Sequence, residues 1–433
     1  MQLPQIIPVT RGGAKIGWEY LFDALESAYF VAVDTEFSGL GDVKLLYGNC
    51  ISEKYDGLKQ LVSNRAIFSV GFSIFSVADT CLGKKSGKLL KGQTADVEEN
   101  LKAPLEFYVR TFDFLLLPSD DFVISPSSAT FLVRHGFDFT RLFLDGIYYT
   151  RPSSNKDYQL LKIYKTAILE RNENTKRSSG EKKKSKKRRK KENSELFLSL
   201  SKAEEREPTR KSSLLSILPL GLLAHLGQAD IPIILHNGLL DLAFLYSSFE
   251  ENLPKTSEEF VRNLHQLLPC IYDTKLLSSD GENETSLDTV YQLCVSWNQK
   301  RKSENETFIQ CWNPENNPDH RETAPNPHFE GKTPEIDSFS AKSDGKSSST
   351  CNEQTCTKSD RRHCSSALND KSEGHLGWSA GNNTFAHSDH SAGYDAFCTG
   401  YVFATYLHSK GLSYVTRKRN SISLSRTTSL SLE

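Results

Sequence analysis

The chain has 433 residues, of which 37% are hydrophobic and 25% charged; this is too polar for one uniformly packed globule, so the apolar residues must gather in part of the chain. A formal net charge of −1 excludes any argument for a partner from overall charge, and nine cysteines, an odd number spread along the chain, do not make a disulfide framework. No stretch reaches the ~20 consecutive apolar residues that a membrane span needs, so no membrane partner is expected.

The N-terminus, MQLPQIIPVTRGG, lacks the basic and apolar regions of a secretory leader, and a reducing compartment is expected. From Trp18 the pattern is mixed α/β. A helix is predicted over Tyr20–Ser27, then an apolar strand Tyr29–Val33 that ends in Asp34. Ala66–Val77 and Glu106–Phe114 read as a half-buried hairpin, with a polar loop over Lys84–Asn100 between them. Ser127–Phe143 reads as a helix opened by a serine-rich cap. Residues 1–166 form the first part of one domain on this reading.

Residues 167–212 are a basic arm. Lys182, Lys183, Lys184, Lys186, Lys187, Arg188, Arg189, Lys190 and Lys191 make a run dense enough to engage a nuclear import receptor or to neutralise phosphates, which is preferred over a passive solvated linker. Order returns over 213–303, with a buried strand Ile231–Leu235, a His236-Asn237-Gly238 turn, helices Leu239–Phe249 and Ser257–Leu268, and a short strand at Cys270–Thr274. Residues 304–385 read as a polar disordered insertion. Residues 386–412 supply a last helix, Ala392–His408, and 413–433 a loose Ser/Arg-rich tail.

Four carboxylates recur at element ends. Asp34 and Glu36 lie two apart at a strand terminus, so both face one side while Thr35 faces the other. Two such acids repel unless a cation lies between them or one stays protonated. Asp241 and Asp395 each lie in the first turn of a helix, where an acid is also favoured by the helix dipole alone. His390 precedes the second of these helices and can serve as a proton acceptor. Together they offer carboxylates for two divalent ions and a neutral imidazole for a water proton.

The blocks VAVDTEFSGL, FLVRHGFDFTRLFLDGIYY, LHNGLLDLAFLY, IYDTK and HSAGYDAFCTGYVF, in that order, resemble the DEDDh deadenylases of the poly(A)-specific ribonuclease type, nearest to the TOE-type nuclear branch. The resemblance covers roughly residues 15–166, 213–300 and 386–412. It implies an α/β, RNase H-like (DnaQ-like) exonuclease fold with a mixed sheet flanked by helices. It also implies a 3′-to-5′ exoribonuclease that trims oligo(A) or short 3′ tails of nuclear RNAs, including small nuclear RNAs. Asp34, Glu36, Asp241 and Asp395 take the role of metal ligands for two Mg²⁺, with Mn²⁺ as a substitute, and His390 that of general base. Phe37, Ser38, Gly39 and Leu40 border the 3′ nucleotide. The implied location is the nucleus, with nucleolus or Cajal bodies as sub-compartments, and the implied assembly a homodimer.

One departure concerns zinc. TOE-type relatives carry a Cys-x8-Cys-x5-Cys-x3-His finger, whereas Cys351, Cys356, His363 and Cys364 do not keep that spacing, so no structural zinc is expected. The alternative function is a catalytically inactive RNA-binding or scaffold protein on the same fold. The presence of all four carboxylates and the histidine argues against it. A DNA-directed exonuclease would be separated by contacts to the 2′-hydroxyl.

Overall fold

The two densest apolar runs of the N-terminal half become adjacent strands at the centre of a sheet, because side chains on both of their faces have a helix layer to pack against. The computed structural model describes residues 4–47, 50–77, 106–152, 223, 226–227, 231–278, 286–302, 309–311, 391–424 and 429–432. In chain order the elements are β1 (Ile6–Val9), α1 (Ala14–Leu25), β2 (Ala28–Phe37), α2 (Ile51–Ser63), β3 (Ile67–Val77), β4 (Phe107–Pro118), α3 (Pro126–Arg134), α4 (Phe139–Asp145) and β5 (Ile147–Tyr149). There follow β6 (Ile233–Leu235), α5 (Leu239–Phe249), α6 (Ser257–Leu267), β7 (Ile271–Asp273), α7 (Thr274–Ser278), α8 (Leu287–Lys302) and β8 (Ile309–Cys311). The last are α9 (Ala392–Lys410), α10 (Leu412–Thr416), β9 (Ser421–Ser423) and β10 (Ser429–Ser431). All described residues belong to one unit built from residues 1–331 and 388–433.

The strand order is β1-β4-β3-β2-β6-β7, with β5 and β8 also paired to β4. β3 runs antiparallel to both of its neighbours, β2 and β4, while β6 joins β2, and β7 joins β6, in parallel. The sheet is therefore mixed, as expected. Register across the antiparallel trio sets Asp34, Gly71 and Asp113 in one row.

Alternation along β2 sorts its side chains between two cores. Val31 and Val33 pack with α1, α5 and α6 on one face; Phe30 and Ala32 pack with Phe397, Val402 and Phe403 of α9 on the other. Phe30 stacks on Phe75 at 4.6 Å and meets Phe403 edge-on at 4.9 Å between ring centroids. Each such side chain removed from water contributes about 1.5–3 kcal/mol. The two faces thus dock α5 and α9 on opposite sides of the same strand.

Several elements differ from the sequence reading. The first helix starts at Ala14, β3 is buried over Ile67–Phe75 instead of half-buried while β4 alternates over Phe107–Thr111 as expected, and Ser127–Phe143 splits at the Gly136 turn into α3 and α4. Helix α5 keeps its expected bounds but is buried nearly all round, with Asp241 through Tyr246, Ser248 and Phe249 all inside. Ile309–Cys311, inside the expected insertion, is a strand beside β4. The tail is not loose either. Asn420, in the left-handed region at φ 53°, donates its backbone N–H to Ile271 O at 2.8 Å, and its Oδ1 accepts from Ile271 N at 3.0 Å. Ile422 and Leu432 are buried behind it, so β9 and β10 cover the edge at β7, which would otherwise present unpaired backbone groups. The Lys84–Asn100 loop, the basic arm, the remainder of the insertion with Cys351, Cys356, His363 and Cys364, and His390 lie outside the described residues. No helix among the described residues is long and apolar enough to cross a membrane.

Candidate active site

Asp34 and Glu36 project from the C-terminal end of β2 on the α9 face. Asp395 meets them from the first turn of α9, and one carboxylate oxygen of each of the three lies within 4.8 Å of the others. It is the one such ligand group among the described residues. What brings α9 there is an absent side chain. A Cβ on Gly71 would lie 1.9 Å from Ala392 O and 2.5 Å from Gly393 N, so only glycine lets the helix start rest on the sheet between β2 and β4.

Asp113, the third residue of that row, ties the helix start down. Its Oδ1 accepts from the Ser69 hydroxyl and its Oδ2 from Gly393 N at 3.3 Å. Ser391 completes the start as N-cap, its hydroxyl accepting from Tyr394 N at 3.2 Å. Asp113 is absent from the sequence-predicted set. Its importance arises from cross-strand register, and the local run RTFDF carries no sign of it.

Asp241 stands apart from the trio. It comes from α5, on the other face, and its Oδ1 accepts from Thr35 Oγ1 at 2.5 Å. Thr35 points away from Asp34 and Glu36, as alternation requires, and that orientation is what lets it reach the second helix. The turn before α5 is set by Asp273, whose Oδ1 accepts from Asn237 N at 2.8 Å and Lys275 N at 3.0 Å while its Oδ2 accepts from Ser423 N at 3.0 Å. Asn237, at φ 57°, is a turn residue, and His236 is bonded to the Thr274 hydroxyl at 2.8 Å.

The electrostatics are those of crowded acids. Burial, then Asp241, Asp395, Glu36 and Asp113, holds the Asp34 carboxyl well above the usual carboxylate range. Burial, then Asp395, Asp113 and Asp241, pushes Glu36 up to about 8. Asp395 is raised by burial and by Asp288, in the first turn of α8, and Asp113. Asp241 is raised by burial despite the Thr35 hydrogen bond, which lowers it. Oxygen-only donors suit a hard cation such as Mg²⁺ or Mn²⁺, and their mutual repulsion is what a divalent ion would cancel. The residues present therefore fit a divalent-metal site.

Of the four residues expected to border the substrate, Phe37 stacks on Phe244 with centroids 4.1 Å apart. Ser38 is fully buried; its hydroxyl donates to Val123 O at 2.7 Å and accepts from Ala66 N at 2.9 Å, so it pins the loop from within. Gly39 lies against Ser125, and Leu40 is half-buried at the edge of the main core.

A mixed sheet flanked by helices, with paired acids at the end of its central strand and a third on a helix docked across it, defines an RNase H-like nuclease. The chain belongs to the CAF1 family ribonucleases, whose family model matches residues 9–403. It is 22% identical over 320 residues to the poly(A)-specific ribonuclease PNLDC1 of Homo sapiens, covering 61% of this chain and 58% of that protein. It is 27% identical over 161 residues to the poly(A)-specific ribonuclease PARN of Xenopus laevis, covering 34% of this chain and 22% of that protein. The chain thus spans less than two thirds of the length of either relative. Among solved structures, the Mg²⁺- and Mn²⁺-bound form of S. pombe Pop2p matches at 18% identity and a TM-score of 0.39, over 67% of this chain and 82% of that one.

Proposed function

We propose that this protein is a divalent-cation-dependent 3′-to-5′ exoribonuclease that removes oligo(A) or short 3′ tails from nuclear RNAs, small nuclear RNAs among them, as the TOE-type blocks imply. The observation that carries the reading is the convergence of Asp34, Glu36 and Asp395, in a chain of a ribonuclease family. These three with Asp241 would hold two Mg²⁺ or Mn²⁺ ions, whose positive charge would stabilise a phosphodiester attacked by water. Asp34 and Glu36 present their oxygens from a rigid strand, and Asp113 fixes the helix that presents Asp395. His390, next to the α9 cap, takes the proton from the attacking water as its neutral imidazole. The basic run 182–191 draws the protein into the nucleus through an import receptor and adds affinity for RNA.

The test is incubation of purified protein with a 5′-labelled RNA carrying a 3′ oligo(A) tail, in Mg²⁺ and in EDTA. A ladder of products shortened from the 3′ end, lost in EDTA and in Asp34→Asn, is expected. Degradation that persists in Asp34→Asn, or internal cleavage, would overturn the reading.

A further inference from the structure

At the end of the sheet where Phe37 of β2 pairs with Ile67 of β3 lies a cation for which the site described above has no use. Arg65 occupies the link between α2 and β3, one residue before Ala66, whose N–H and carbonyl both bond Ser38. Its guanidinium packs against Gly41: a Cβ there would fall 2.1 Å from Nη2 and 2.6 Å from Cζ. Gly41 is at φ 62°, so both backbone and space keep this place open for the arginine.

The hydrogen bonds of Arg65 leave much of it unused. Nη1 donates to Leu61 O at 3.0 Å and to Asn64 Oδ1 at 3.3 Å, both neutral acceptors. Nε is shielded from solvent without a partner, and no carboxylate among the described residues lies within ion-pair distance. A half-buried guanidinium held by two neutral oxygens keeps its charge and has donors left over for an anion. Its planar fork of donors matches phosphate oxygens better than any other side chain.

The surroundings give that charge a direction. The loop Ser38–Gly41 continues directly from Glu36, and its other side touches the start of α3. A Cβ on Gly39 would lie 2.3 Å from Ser125 Cβ and 3.2 Å from Ser128 Oγ, and Ser125 N donates to Ser38 O at 2.9 Å. Arg65 at Gly41, and Ser125 and Ser128 at Gly39, thus pack on one short loop that begins two residues beyond Glu36. An RNA strand nearing four carboxylates meets repulsion at its phosphates, and a fixed cation offsets it.

We infer that Arg65, with Ser125 and Ser128 across the Ser38–Gly41 loop, binds a backbone phosphate of the RNA strand as it enters the site. This rests on the ribonuclease reading proposed above and adds the residue that holds the strand. A phosphate contact carries no base information, so it acts on all tails alike.

The test measures binding of fluorescein-labelled A-tailed and U-tailed RNAs in the Asp34→Asn background, where the strand is not consumed, across a salt series. Arg65→Gln should weaken both by the same factor, about 10- to 100-fold, the scale of a charge-assisted hydrogen bond. The log–log salt slope should fall by about 0.7, the value for one phosphate on a single strand. Arg65→Lys keeps the charge and should keep the slope while losing part of the affinity, which preserves the test should Arg65→Gln misfold. Binding and slope unchanged in Arg65→Gln, or a loss confined to one tail, would overturn the assignment while leaving the ribonuclease reading intact. If protein with Asp34 intact neither binds nor shortens any RNA, the ribonuclease reading itself has failed and the Arg65 assignment falls with it.

Discussion

Helices α5 and α9 each bring an aspartate in the first turn to the end of β2, from opposite faces, but they are held in different ways. On α5 the aspartate is itself the attachment, since Asp241 accepts directly from Thr35. On α9 the attachment is one half-turn earlier, at Gly393, where Asp113 takes the backbone N–H, so the Asp395 carboxylate is left to face Asp34 and Glu36. The difference teaches that a metal-facing carboxylate is best positioned through its scaffold, because a hydrogen bond to the carboxylate itself competes with the cation for the same lone pairs.

The contrast is broken most severely at Gly71. Gly71→Ala places a methyl 1.9 Å from Ala392 O, backbone against backbone, so α9 must lift from the sheet. Turnover should be lost and the urea midpoint lowered, by about 3 kcal/mol of stability on the scale of overpacked cores. Retained turnover would mean that α9 is not seated there. Next is Asp113→Ala, which removes the clamp alone: Mn²⁺ affinity by calorimetry should fall about 10- to 100-fold, as for residues that orient ligands from behind. Asp113→Asn keeps an acceptor and should recover most of it.

A third expectation uses pH. Asp34, Glu36, Asp241 and Asp395 all have folded-state pKa values raised above their ordinary ones, so the metal-free native state binds more protons than the unfolded chain. In EDTA, melting temperature should therefore fall as pH rises from the ordinary carboxylate range toward the Glu36 value of about 8. Mg²⁺ should flatten that fall. A metal-free protein that gains stability over this window would show the carboxylates to be ionised without repulsion. The smallest effect belongs to Thr35→Val, which removes one hydrogen bond from Asp241 and should cost about 1 kcal/mol and less than tenfold in metal affinity. A loss as large as that of Asp113→Ala would erase the difference between the two helices.

Much of this is legible in the linear chain. The D-x-E pair is readable because strand alternation is local, and Asp241 and Asp395 because a polar residue opens an otherwise apolar helix. Thr35 is readable only as facing away, and its bond to Asp241 depends on which helix covers that face. Asp113 and Gly71 are not readable at all: they matter through a register joining three strands, and through a helix that arrives hundreds of residues later. The tail misleads for another reason. Its serines and arginines suggest a loose end by composition, while SISLS and SLSL alternate as strands do, with Ile422 and Leu432 turned inward.

The late arrival of α9 bears on how the protein is made. A chain synthesised through Asp273 already has β2, β3, β4, β6 and β7 with Asp34, Glu36 and Asp241, but one face of that sheet, with Phe30 and Phe75, still awaits Phe397 and Phe403. At ordinary elongation rates the ribosome needs about 10 s more to reach Ala392. During that interval the fourth carboxylate, Asp395, does not exist, so the nascent chain has an incomplete carboxylate cluster while it lies beside its own messenger RNA. The same interval leaves an apolar sheet face open, and the long connection before α9 makes its docking a high-contact-order, slow step. Activation and the closing of the second core are then a single folding event.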